Sequence, residues 1–129
     1  MIWHLALPGD WVQTLQSQQD YTISTRGMTL AEVGFIHCSY PHQIEGVAER
    51  FYNDCHELLL LGVDRRRLTS PVIDEPPAVG IDELFPHIYG PLPIDAVTRA
   101  GIWRRSDEGW SLDQAGPENT PEWSADERE

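Results

Sequence analysis

A chain of 129 residues with a net charge of −12 repels phosphate backbones and anionic lipid, which argues against nucleic acid and membrane surfaces as partners. All nine basic residues are arginine, so Schiff-base chemistry, a P-loop lysine and a kinase-type lysine are excluded. Two cysteines, Cys38 and Cys55, are too few for a disulfide framework. The N-terminus carries no leader pattern, and the longest apolar run, Leu58 to Val63, is far short of the roughly 20 residues of a membrane helix, so a cytoplasmic protein is expected.

Ile2 to Ala6 reads as a first strand. Pro8-Gly9-Asp10 then opens a helix, with Asp10 as N-cap candidate, Gln13 three residues on, and Trp11, Val12 and Leu15 as its apolar face. Tyr21 to Ser24 is a short extended stretch. Thr29-Leu30-Ala31-Glu32 is a capping-box pattern that Gly34 stops within a turn, before a strand over Phe35 to Cys38. Pro41 suits the first position of the next helix, in which Ile44, Val47, Ala48 and Phe51 recur at i, i+3, i+4, i+7. Leu58 to Val63 is a continuous apolar run suited to the middle of a sheet. Arg65-Arg66-Arg67 marks a polar turn, and Val72-Ile73 a short strand before Pro76-Pro77. The prolines around His87 place that extended segment at an edge or a bend, and Ala96 to Arg104 forms a last strand ending on Trp103. Residues 1–112 read as one globular domain. Residues 113–129 hold six acids against one arginine and read as a disordered acidic tail.

Three of the five histidines lie in strand-like sequence: His4 in Ile2-Trp3-His4-Leu5-Ala6, His37 in Gly34-Phe35-Ile36-His37-Cys38-Ser39, and His87 in Phe85-Pro86-His87-Ile88-Tyr89-Gly90-Pro91-Leu92. A buried imidazole needs partners for both nitrogens, so three in such settings point to one site. Taken alone, each reads more blandly: His4 as a histidine bonded to backbone, Ser39 as the end of a strand, and His87 with Tyr89 as an aromatic edge on the core. Strand alternation puts His37 and Ser39 on one face, opposite Cys38, so Cys38 is a buried thiol rather than a nucleophile activated by its neighbour. No paired ligand spacing accompanies the histidines and cysteines, and no metal is expected.

These strings, with Val47 to Tyr52 and Leu59 to Leu61, resemble the bacterial family labelled domain of unknown function 952 over about residues 2–100. That family is similar in fold to the ADP-ribosyltransferases, a split pair of small sheets gripping NAD. The resemblance implies an α+β domain with a small mixed or antiparallel split sheet and two main helices. It also implies a pocket for NAD, as substrate, or a related small nucleotide. His4 would orient ribose hydroxyls, Ser39 and Tyr89 would bind the nucleotide, and His37 or His87 would act as general acid or base near neutral pH in transfer or hydrolysis at the nicotinamide ribose. The superfamily usually has Gly and then Ser or Thr after its first-strand histidine, where this chain has Leu5-Ala6. Its late-strand glutamate has no counterpart near His87 in sequence except Glu83. Those departures suit the alternative, a non-enzymatic metabolite- or protein-binding module on the same fold.

Overall fold

A computed structural model describes residues 1–112; the expected acidic tail lies outside the described residues. The elements run β1 (Ile2–Ala6), α1 (Pro8–Ser17), β2 (Ile23–Thr25), β3 (Met28–Thr29), α2 (Leu30–Val33), β4 (Ile36–His37), a 3-10 turn into α3 (Ile44–Phe51), β5 (Glu57–Val63), β6 (Val72–Glu75), β7 (Phe85–Ile88), β8 (Val97–Ser106) and β9 (Gly109–Leu112). The domain is α+β. A four-stranded sheet has the order β1-β5-β8-β9, a three-stranded sheet the order β4-β7-β6, and β2-β3 form a hairpin. All these pairings are antiparallel.

The apolar run of β5 sits in the interior of the larger sheet, between β1 and β8, as its two-faced burial requires. Alternate residues of β1 and β5 feed two cores. Ile2, Ala6, Leu61 and Val63 join Trp11 and Tyr21 on the α1 side, whereas Trp3, Leu5, Leu58 and Leu60 meet Ile44, Val47 and Ala48 of α3 on the other. Burying Ile44 and Val47 stabilises the domain by about 2 kcal/mol each. The second sheet is tied to the first at the outer edge of β1, where Trp3 and Ser39 exchange both backbone hydrogen bonds, at 2.9 and 2.7 Å. That junction brings β4 beside His4.

Several expectations need correction. Leu7 is the N-cap of α1 and makes no side-chain cap; Pro8 takes the first helical position, and Asp10 lies inside the first turn, where its charge favours the helix dipole. The buried face of α1 is Trp11 and Thr14, while Val12 and Leu15 remain exposed. Phe51 is likewise exposed at the end of α3. The segment carrying Pro86 is the central strand of its sheet, not an edge. Its ladder to β4 stops at the proline: the Pro86 carbonyl accepts from the Cys38 N–H at 3.0 Å, and with no N–H the ring can return nothing. β8 runs past Trp103 to Ser106 and turns into β9, a strand the sequence reading did not anticipate, which stacks Trp110 on Trp103. The capping box of α2 is present, with Gly34 ending the helix at φ 103°.

Candidate functional site

The register of β4 on β7 sets His37 directly opposite His87. Cross-strand neighbours share a face, and His37 Nδ1 lies 3.3 Å from His87 Nε2. On the other side of β7, β6 brings in Glu75, whose Oε2 accepts from His87 Nδ1 at 2.8 Å. The Tyr89 hydroxyl donates to the same carboxylate oxygen. Phe35 stacks flat on the His87 ring, with centroids 3.9 Å apart, and Phe85 tilts against His37. His87 is fully buried.

This chain of contacts fixes the tautomers. An ionised carboxylate only accepts, so His87 carries its proton on Nδ1 and presents a lone pair at Nε2. That lone pair takes the proton on His37 Nδ1. His37 Nε2 is then a bare acceptor, buried and without a hydrogen-bond partner among the described residues. Burial, followed by the neighbouring His87 and His4, pushes the His37 pKa down to about 3. Hydrogen bonds from Tyr89 and His87 hold Glu75 below the usual carboxylate range, and that carboxylate in turn raises Tyr89.

His4 is engaged on both nitrogens. Its Nδ1 donates to the His37 carbonyl at 2.7 Å, and its Nε2 accepts from the Tyr21 hydroxyl at 2.8 Å. Burial lowers its pKa to about 4, against the opposing pull of the His37 backbone bond, and desolvation raises Tyr21, which stays protonated as the donor. His4 therefore positions β4 and has no nitrogen left for a ribose hydroxyl. Cys38 is fully buried and its thiol is pushed up by desolvation, which suits a core residue.

Three cavities meet at His37. One of about 350 Å³ is lined by Ser24, Met28, Val33, Phe35, Phe51 and Pro77, with Glu32 among its polar residues. A neighbour of about 160 Å³ shares His37, Phe51 and Pro77 and adds His42, Gln43, Arg50 and Glu83. A third, about 10 Å³, lies among His4, Ser24, His37, Ser39 and Tyr52. Of the five residues singled out from the sequence, His4, His37 and Ser39 surround this smallest cavity, and His87 stands directly behind His37. Tyr89 stands on Glu75, among the lining residues of none of the three.

Four contributors escaped the sequence reading. Glu75, the carboxylate bonded to His87, comes from the paired strand, whereas Glu83 accepts from Gln43 Nε2 at 3.0 Å. Gln43 also caps the Tyr40 N–H at 2.9 Å and donates to the Leu84 carbonyl. Ser24 is fully buried on β2 with its hydroxyl unpartnered among the described residues, and Phe35 supplies the stacking wall. The period-2 pattern of Ile73 and Glu75 was the one available signal, but it does not say which strand β6 pairs with.

A family model described as a protein of unknown function (DUF952) matches residues 7–100, a span that contains Glu75, His37 and His87. The chain belongs to this family. Two solved structures share the DUF952 chain's fold, protein CC0527 of Caulobacter crescentus and a double mutant of it. Each has a TM-score of 0.70 and covers 87% of this chain and 92% of its own, at 24% and 23% identity. No curated protein matches the chain. Among the described residues, no helix is long and apolar enough to cross a membrane.

Proposed function

We propose that this DUF952 domain binds an NAD- or ADP-ribose-type nucleotide in the cleft at His37, on a scaffold related to the ADP-ribosyltransferases. The observation that carries this reading is the Glu75–His87–His37 chain, which ends on an orphaned buried acceptor at a cleft of ligand size. Such a group costs stability unless a ligand pairs with it. The larger cavity at His37, about 350 Å³, falls in the range used by small-molecule sites, with mainly apolar walls and a few convergent polar groups. Flat apolar surface at Phe35, Phe51 and Pro77 suits an aromatic ring, and Arg50 in the adjoining cleft suits a pyrophosphate.

Bound NAD would supply a cleavable bond at the nicotinamide ribose. In hydrolysis, water would attack the ribose carbon as its bond to nicotinamide breaks, nicotinamide would leave with the bonding electron pair, and the proton lost by the water would go to solvent, while His37 Nε2, kept an acceptor by the chain through His87 to Glu75, fixes the ligand. His4 holds the His37 backbone in place, and Tyr89 holds the carboxylate. A second reading, a non-enzymatic module on the same fold, draws on the weak basicity of His37: the site then binds its ligand and turns nothing over.

Thermal melting with millimolar NAD and, in parallel, ADP-ribose tests the nucleotide reading. Ligand at 100 times its dissociation constant adds about 2.7 kcal/mol, worth several degrees in a domain of this size. No shift with either overturns the nucleotide reading. A shift with NAD but no release of nicotinamide selects the non-enzymatic module.

A further inference from the structure

Ser24 and His37 line the same two cavities, and each has a buried polar atom, Ser24 Oγ and His37 Nε2, without a hydrogen-bond partner among the described residues. They come from different parts of the fold, β2 and β4, and they are not bonded to each other. Their chemistry differs. Relay from the Glu75 carboxylate leaves His37 Nε2 an acceptor, whereas the Ser24 hydroxyl can donate or accept. A ligand group that satisfies both must donate to His37 Nε2 and can either accept from or donate to Ser24 Oγ. An anion such as a carboxylate can accept from Ser24, but its oxygens would face the His37 lone pair. Glu32, on the wall of the same cleft, adds to that repulsion.

Resting on the nucleotide reading, we propose that Ser24 and His37 form the specificity floor of the cleft, reading a neutral primary carboxamide on a flat ring and rejecting the corresponding carboxylate. The amide N–H meets His37 Nε2, and its carbonyl accepts from Ser24 Oγ. A hydroxyl could make similar bonds, but its single proton rotates freely, whereas the rigid amide plane matches the aromatic and proline walls formed by Phe35, Phe51 and Pro77. Ser24 is thus a specificity-determining residue that the fold itself does not need.

The test compares three probes at pH 7.5 by calorimetry: NAD, its deamidated nicotinic acid form, and ADP-ribose. The expected result is NAD binding about tenfold or more tightly than the acid form, since the acid leaves the buried His37 acceptor unpaired. Equal affinity for NAD and the acid form overturns the carboxamide floor and leaves the nucleotide reading standing. No binding of any probe overturns both. In Ser24→Ala the preference for NAD over the acid form should shrink severalfold while the unliganded protein melts no lower than wild type. A lower melting temperature would mean that the hydroxyl is structural and would overturn its assignment.

Discussion

Acidification should destabilise this domain through His4. The neutral imidazole is the folded form: its pKa falls to about 4 in the buried pocket, against 6.5 for the unperturbed side chain. Between those values the unfolded chain binds a proton that the folded chain refuses, so stability rises with pH across the window. The contribution is fully present above about pH 6.5 and is lost progressively down to about pH 4. At pH 5 the loss from this one residue is about 2 kcal/mol relative to pH 7. His37, lowered to about 3, acts with the same sign and adds about as much, a large fraction of the roughly 5–15 kcal/mol that holds a typical domain. Urea melts followed by tryptophan fluorescence at pH 7, 6 and 5 would read the drop directly. His4→Gln should start less stable, because the Tyr21 hydroxyl and the His37 carbonyl lose their shared partner, but it should lose about 2 kcal/mol less between pH 7 and 5. A drop of the same size in wild type and His4→Gln would refute the assignment of His4 as a buried neutral imidazole.

Three further substitutions probe the frame of the site. Gly62→Ala would place a Cβ 2.6 Å from the buried Trp3 ring and 3.0 Å from Arg99 Cβ. With no room for the ring to yield, it should cost about 1–3 kcal/mol in a denaturant melt; an unchanged midpoint would mean that β1 and β5 pack more loosely than the structure shows. Glu75→Gln keeps an acceptor for His87 Nδ1 but removes the charge that fixes its proton. Nitrogen NMR on the wild type should find a single His37 tautomer, protonated on Nδ1, and the variant should show a mixture; a mixture already present in wild type would break the relay argument. Thr29→Ala removes half of the α2 capping box, in which Thr29 Oγ1 accepts from the Glu32 N–H at 3.2 Å. It should cost about 1 kcal/mol and loosen the wall carrying Glu32 and Val33, visible as faster amide exchange in α2, and unaltered exchange there would show that tertiary packing alone holds the helix.

What the sequence disclosed and what it hid follow from the range of the forces involved. Local signals read well: the capping box at Thr29, the glycine stop at Gly34 and the two-faced run of β5 each depend on neighbours within a few residues. The face of α1 read poorly because Thr14, not Leu15, points at the core, a choice made by the position of β1 and Tyr21 rather than by hydrophobicity. Pro86 misled for a related reason. A proline is excluded from a central strand only where a partner needs its N–H, and here the neighbouring strand diverges at Cys38. The site shows the same division. The convergence of His4, His37 and His87 was legible from three polar rings in strand sequence, but their roles were not. Those roles depend on the register that sets His37 against His87, and on a strand pairing that carries Glu75 across to His87. Once that carboxylate is in place, tautomer logic fixes the remaining polarity of the site, and the histidine left with an open nitrogen is His37 rather than the fully engaged His4. Under the proposed nucleotide reading, a search for the ligand is therefore built around a hydrogen-bond donor at His37 Nε2.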